Sequence, residues 1–284
     1  MRILLVPLLF FLLRPIDALA QESVSIPYTE HNGSKQQVEA VLRLPSTLTD
    51  KRAVIVLHHA GGWLQGTTQQ YGELFQRNGV ISLDLKMFDQ RPDNPQKHLA
   101  QVFGAVNYLA ARTDVDPSKI SVMGLSYGGA ISLYAATAWA HSTYAAPGVK
   151  LRSVAALYPT CFFHDGLAKG EPRMIRRMGS FGFPVDFYDR WSGIPAKIYI
   201  GGKDDYESQD PLSCSSFVSA VKDEAQRKLF AVELYPEAKH GWDHGRTYSF
   251  YEPVACKGRG CQNTNQSDPE LTERVKENLL EFLK

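Results

Sequence analysis

An α/β fold built on a mostly parallel sheet is predicted by three features of this 284-residue sequence. Short β-branched runs alternate with helix-patterned stretches from residue 53 onward, the order that yields a parallel sheet with helices on both faces. The run AVIVLHH (residues 53–59) shows no polar alternation, as a strand covered on both sides should. Tight Gly-containing turns separate the segments, and no repeat, low-complexity tract or linker divides the chain.

Taken in order, residues 23–28 and 38–44 (VEAVLRL) read as two antiparallel strands around a turn at His31-Asn32-Gly33, forming an antiparallel N-terminal edge. After the strand at 53–59 come a Gly-Gly turn, a helix over 67–77 and the strand VISLDL (80–85). Residues 99–111 carry apolar positions three and four apart, the signature of an amphipathic helix. KISVMG (119–124) reads as a strand and residues 126–139 as one alanine-rich helix. Residues 153–158, 196–200 and 229–235 complete the strands. A last helix opens at Ser267-Asp268-Pro269-Glu270, which has the S-x-x-E capping-box form.

One segment is long for a connection. Residues 162–191 hold Phe162, Phe163, Phe181, Phe183, Phe187, Tyr188 and Trp191 together with Arg173, Arg176 and Arg177. Either a helix with an irregular flank lies here, or residues 161–192 form a cap whose aromatics line a pocket.

Hydrophobic residues make up 44% of the chain and charged ones 21%, ordinary globular values. Residues 1–20 stand apart: a basic start at Arg2, an apolar run, and Ala18-Leu19-Ala20 as a small-x-small cleavage site. This is the form of a secretory signal peptide cut before Gln21. The competing reading, a membrane anchor, needs a longer run than the one that Arg14 and Pro15 end. No other stretch is long and apolar enough to span a bilayer. The expected protein is therefore secreted or periplasmic, with residues 21–284 as a single domain. Removing Arg2, Arg14 and Asp17 takes the formal charge from 31 − 30 = +1 to 29 − 29 = 0. A neutral chain without a basic block offers nothing to nucleic acid or an acidic membrane surface.

The four cysteines are Cys161, Cys214, Cys256 and Cys261. In an exported protein disulfides are the default. Of the three possible connectivities, the expected one closes the small loop CKGRGC with Cys256–Cys261 and pairs Cys161 with Cys214. A zinc site would want C-x-x-C or histidine spacing, and neither is present.

The chemistry centres on Gly124-Leu125-Ser126-Tyr127-Gly128, a G-x-S-x-G between a strand and a helix. Glycines two residues either side relieve the crowding around a nucleophile held on a sharp turn. About 0.1 such matches arise by chance in a chain of this composition, so the strand-turn-helix context carries the argument. The bland alternative is a serine that merely caps a helix. A serine nucleophile needs a base, and the base an orienting acid. His240, in the loop PEAKHGW after the strand at 229–235, is the candidate base, with His244 in reserve. YIGGKDDY supplies Asp204 or Asp205 after the preceding strand; Asp204 is favoured, with Asp165 more remote. Oxyanion donors would be the backbone N–H groups of Tyr127 and of Ala60 in LHHAGGW, with Gly61 as the alternative. The bland reading of that loop is a plain Gly-Gly turn with His58 and His59 as packed polar residues.

Four segments, LHHAGGW, VDPSKISVMGLSYGGAISL, YIGGKDDY and YPEAKHGW, appear in an order that resembles the dienelactone hydrolase family of the α/β-hydrolase fold, across nearly all of the chain after residue 20. The resemblance implies Ser126 as nucleophile, Asp204 as acid, His240 as base and Ala60 as the loop's oxyanion residue. Founding members of the family carry a cysteine at the nucleophile position and a glutamate near the place of His59. Ser126 therefore implies ester cleavage by a serine triad, and export points away from cytoplasmic aromatic degradation.

The expected function is hydrolysis of a small-molecule carboxylic ester or lactone, with no cofactor and no metal. Two rivals remain. One is a serine peptidase of prolyl-oligopeptidase type, although such catalytic domains usually accompany a large extra domain that this sequence lacks. The other is a non-catalytic binding protein on a hydrolase scaffold, disfavoured because nucleophile, acid and base are all present.

Overall fold

The computed structural model describes residues 20–63 and 67–283; of the expected leader, residues 1–20, all but Ala20 lies outside them. Ten strands and ten helices follow one another as β1 (Ala20–Thr29), β2 (Lys35–Leu44), β3 (Ala53–Leu57), α1 (Thr68–Arg77), β4 (Ile81–Leu85), α2 (Pro95–Ala110), β5 (Ile120–Leu125), α3 (Tyr127–Ala135), α4 (Ala138–Tyr144) and β6 (Ser153–Leu157). Then come α5 (Cys161–Ala168), α6 (Pro172–Gly179), β7 (Ala196–Gly201), α7 (Ser213–Ala220), α8 (Glu224–Arg227), β8 (Phe230–Tyr235), β9 (Tyr248–Glu252), the single turn α9 (Ala255–Gly258), β10 (Cys261–Asn265) and α10 (Pro269–Phe282).

Eight strands form one sheet in the order β1-β2-β4-β3-β5-β6-β7-β8. β1 pairs antiparallel with β2 and β2 antiparallel with β4, while every pairing from β4 to β8 is parallel. β3, β4, β5 and β6 are buried at every residue, so both faces of the sheet centre are covered. α1 packs with α10, and α2 with α3 and α4. Arg43 Nη1 and Asp84 Oδ2 meet at 2.6 Å, buried within this core. Burial outweighs the arginine there and pushes the Asp84 carboxyl up to about 7.

Several boundaries differ from the sequence reading. The helix expected from residue 99 starts at Pro95, because the Asn94 side chain accepts the Gln96 and Lys97 N–H groups and Pro95 opens the first turn. The single helix expected over 126–139 is two helices. Thr137 leaves helical geometry, its side chain caps α4 by accepting from Ala140 N–H, and its backbone bridges to Trp191. At the last helix the cap is Asp268, which accepts from Leu271 N–H, and not Ser267. The two-stranded ribbon β9–β10 was not foreseen at all.

Residues 162–191 contain α5 and α6 and an irregular flank. Phe183, Phe187 and Tyr188 are buried, and their rings pack against Tyr134 and, for two of them, Trp139. Trp191 packs against Phe217 and Phe230. These aromatics join the helical layer to the core. Two disulfides bind the surrounding elements: Cys161–Cys214 ties the start of α5 to α7, and Cys256–Cys261 closes the turn between β9 and β10.

Candidate active site

β5 ends at Leu125 and α3 begins at Tyr127, leaving Ser126 alone to reverse the chain, at φ 50° and ψ −111°. A non-glycine residue with positive φ is held there by its surroundings at a cost of about 1–3 kcal/mol. Ser126 N–H donates to Leu157 O at 2.8 Å, and Ala130 N–H to Ser126 O at 2.9 Å. The flanking glycines are sterically required. A Cβ on Gly124 would lie 2.1 Å from the Gly128 carbonyl, and one on Gly128 would lie 2.5 Å from Leu57 O.

His240 follows β8 through a short loop and is bridged to Asn265 of β10, with Gln266 N–H donating to its carbonyl at 3.2 Å. Its Nε2 lies 3.0 Å from Ser126 Oγ and its Nδ1 lies 2.8 Å from Asp204 Oδ2. The carboxylate can only accept, so Nδ1 carries the proton and Nε2 is free to accept from the serine hydroxyl. Rings flank the imidazole, Tyr206 at 4.2 Å and Tyr158 at 4.6 Å between centroids. Ser126, Asp204 and His240 are all buried.

Asp204 and Asp205 diverge. Asp204 caps the 3-10 turn Asp205–Glu207, its Oδ1 accepting from Tyr206 N–H at 2.8 Å while Oδ2 turns to His240. Asp205 points the other way and accepts from Thr264 N–H and Gln209 Nε2, both at 2.9 Å. Asp165 bonds Lys169 and Ser216 on the α5–α7 side. His244 is bonded to Tyr248 and Asn265, not to the serine.

In the loop after β3, Gly61 N–H donates to His59 Nδ1 at 2.9 Å and is thereby engaged. Ala60 is exposed just after His59, and Tyr127 N–H belongs to the first turn of α3, where helical N–H groups have no partner in the helix. The Tyr127 hydroxyl bonds His98 Nδ1 at 2.7 Å. His58 is a packed residue: Nδ1 donates to the His59 carbonyl at 3.0 Å and Nε2 accepts from Met87 N–H at 3.1 Å. Burial lowers its pKa to about 4, consistent with the neutral ring those bonds require.

Two supporting groups had escaped the sequence reading. Asp243 accepts from two buried phenols, Tyr71 at 2.6 Å and Tyr158 at 2.5 Å, which anchors the His240 loop to α1 and to the end of β6. Burial, then the charge of Asp243, raises both phenols well above their usual range. Glu207 accepts from Phe162 N–H at 3.0 Å and from the Ser213 hydroxyl, residues adjacent to the Cys161–Cys214 bridge. Burial, followed by the charge of Asp204, pushes its carboxyl up to about 8. Neither residue sits in a recognisable motif; only the fold shows what each touches. Among the described residues no group of three or more His, Cys, Asp or Glu side chains is arranged to hold a metal ion, and no helix is long and apolar enough to cross a membrane.

A parallel sheet with an antiparallel edge, a serine on a strand-to-helix elbow, and an acid and a histidine on later loops define the α/β-hydrolase fold. Comparison with known proteins places the chain in the same class. Residues 87–160, which span the elbow, match the prolyl oligopeptidase family. No curated protein matches the sequence. Among solved structures, the chain is similar to esterase 2 of Thermogutta terrifontis phosphoramylated by tabun, with TM-score 0.61, 17% identity, and 92% of this chain and 93% of that one covered. It is similar to a dienelactone hydrolase-like promiscuous phosphotriesterase from metagenomic libraries (TM-score 0.57, 17% identity, 93% and 98% covered). A dienelactone hydrolase from Anabaena variabilis gives TM-score 0.53 at 16% identity, with 93% and 98% covered.

Proposed function

We propose that this protein is an exported serine hydrolase that cleaves carboxylic esters or lactones. The observation that carries the reading is the unbroken hydrogen-bonded series from Ser126 Oγ through His240 to Asp204, at 3.0 and 2.8 Å, with the serine on its elbow. Ser126 passes its proton to His240 Nε2 as Oγ attacks the carbonyl carbon. Asp204 holds the Nδ1–H tautomer and stabilises the imidazolium that forms. The N–H groups of Ala60 and Tyr127 receive the oxyanion. His240 then protonates the leaving alkoxide, and water repeats the steps on the acyl-enzyme to release the acid. The two disulfides and the N-terminal leader pattern support an oxidising, extracytoplasmic setting.

A fluorophosphonate should label Ser126, located by peptide mass, and Ser126→Ala should lose both the adduct and ester turnover. Retained turnover in that variant would sink the proposal. The match to the prolyl oligopeptidase family favours a second reading, a serine peptidase. Equal acyl groups presented as an ester and as a peptide amide separate the two, the ester being the preferred substrate under the present proposal.

A further inference from the structure

Next to the base loop lies a cleft of about 410 Å3, lined among the described residues by Thr67, Gln69, Gln70, Glu73 and the segment 243–245. None of these described residues presents an aliphatic or phenyl side chain. It adjoins the catalytic constellation through His244, whose ring lies 4.6 Å from that of His59, the residue before Ala60.

Two polar atoms in this lining are hidden from solvent and have no hydrogen-bond partner: Thr67 Oγ1 and His244 Nε2. The hydrogen bonds around His244 determine what its free nitrogen offers. Asn265 Oδ1 accepts from Asn263 Nδ2 at 2.7 Å, so Asn265 presents its amide nitrogen to Tyr248 Oη at 2.8 Å and to His244 Nδ1 at 3.1 Å. Tyr248 Oη, 2.8 Å from the same Nδ1, donates to it as well. With Nδ1 accepting, the neutral ring carries its proton on Nε2, which becomes a donor without an acceptor. Burial, the largest influence on this histidine, lowers its pKa to about 4 and keeps the ring neutral at ordinary pH. A buried donor without a protein acceptor is completed by water or by a ligand group.

The charges around the cleft narrow the ligand. Glu73 is bonded to Gln69 at 2.8 Å and to Arg77 at 2.9 Å. Asp243 uses its carboxyl oxygens on Tyr71 and Tyr158. Neither lysine nor arginine is among the described lining residues, and the Glu73 and Asp243 carboxylates there disfavour an anion. Amides, a hydroxyl and an imidazole N–H remain, the group types that recognise neutral hydroxyls. We infer that the cleft binds a neutral polyhydroxylated group and that the substrate, given the serine-hydrolase reading above, is a carboxylic ester of a sugar or polyol, with His244 Nε2–H donating to one of its hydroxyl oxygens.

The test compares kcat/KM on acetylated methyl glucosides with kcat/KM on p-nitrophenyl acetate, which shares the acyl group but lacks the polyol. The wild-type chain should hydrolyse both. The glucoside-to-nitrophenyl ratio should fall tenfold or more in His244→Phe and severalfold in Thr67→Val, a substitution of the same shape that guards against a folding defect in the first. A ratio within twofold of wild type in both variants overturns the inference and leaves the cleft merely hydrated. Wild-type turnover of p-nitrophenyl acetate without turnover of the glucosides overturns it too, with the serine-hydrolase reading intact. Full activity in Ser126→Ala, or no hydrolysis of either ester by wild type, overturns that reading and this inference with it.

Discussion

Adjacent carboxylates with nearly identical sequence surroundings acquire separate tasks once the chain turns. Asp204 is held by Tyr206 N–H and aimed at His240, whereas Asp205 holds Thr264 of β10 and lies 3.6 Å from Lys239 Nζ. Asp204→Asn would offer His240 an amide in place of an acceptor-only group and favour the wrong tautomer. A loss in kcat on the order of 10³- to 10⁴-fold is expected, with little change in the urea midpoint. Asp205→Asn should do the reverse, lowering stability by about 1–2 kcal/mol while kcat stays within tenfold, since it weakens buried hydrogen bonds and leaves the His240 contact in place. Parallel kinetic and urea-unfolding measurements distinguish the two. Asn265, an N-x-S sequon in the sequence, is buried among Asn263, His244 and Tyr248 and hydrogen-bonds to all three.

The connections between elements carry much of the site's rigidity. α3 approaches β3 so closely that Gly128→Ala would drive a methyl group against Leu57 O and His58 O. Overpacking of a methyl group against fixed backbone should destabilise by about 3 kcal/mol, read as a lowered urea midpoint. The disulfides differ in reach. Cys161–Cys214 spans 53 residues and Cys256–Cys261 only 5. Chain-entropy estimates give about 4 kcal/mol for the first and about 2 kcal/mol for the second. Replacing Cys161 and Cys214 by serine should therefore lower stability more than the same change at Cys256 and Cys261, and thermal unfolding of both double variants checks the order. The larger bridge also neighbours Phe162 and Ser213, which both hydrogen-bond Glu207 on the turn that Asp204 caps. The strands of the sheet centre were readable because burial on both faces leaves uninterrupted apolar runs. The break at Thr137 was not, because it depends on Trp191 and on Ala138 N–H donating to Arg190 O at 2.9 Å, contacts from far along the chain.

Across the molecule, buried ionisable groups set opposing pH dependences. Burial lowers His58, His98, His141 and His244 to about 4 and His164 to about 3. The unfolded chain takes up protons at these positions below about 6.5 and the native chain does not, so stability falls as pH drops from about 6.5 toward 4. Asp84 and Glu207, raised to about 7 and about 8, act in the other direction. Unfolded carboxyls ionise near 4 while the native ones stay protonated, so these two groups reduce stability as pH rises toward 8. Five histidines outweigh two acids below about 6.5, and above it the acids act alone. Stability should peak at about pH 6 to 7, in a series of urea midpoints from pH 4 to 9. A monotonic rise through pH 8 would contradict the protonated burial of Glu207 and Asp84, and Glu207→Gln should flatten the alkaline limb.

Sequence alone determined the parallel architecture, the antiparallel edge and the short motifs on which the proposed chemistry rests, because those properties are written in residues a few positions apart. Hydrophobic runs, the spacing of Gly124 and Gly128 about Ser126, and a histidine or aspartate just past a strand are all local patterns. Tertiary structure alone decided which aspartate faces His240, that Gly61 N–H is engaged, that the aromatics at 183–188 pack on Tyr134, and that Asp243 joins two phenols. It also brought β10 beside the His240 loop, and it left His244 Nε2 buried without a hydrogen-bond partner. Those outcomes depend on pairs such as Tyr71 and Asp243 or Asp205 and Thr264, which lie tens to hundreds of positions apart. Such pairs meet only when the sheet brings its strand ends together, and no local pattern encodes the meeting.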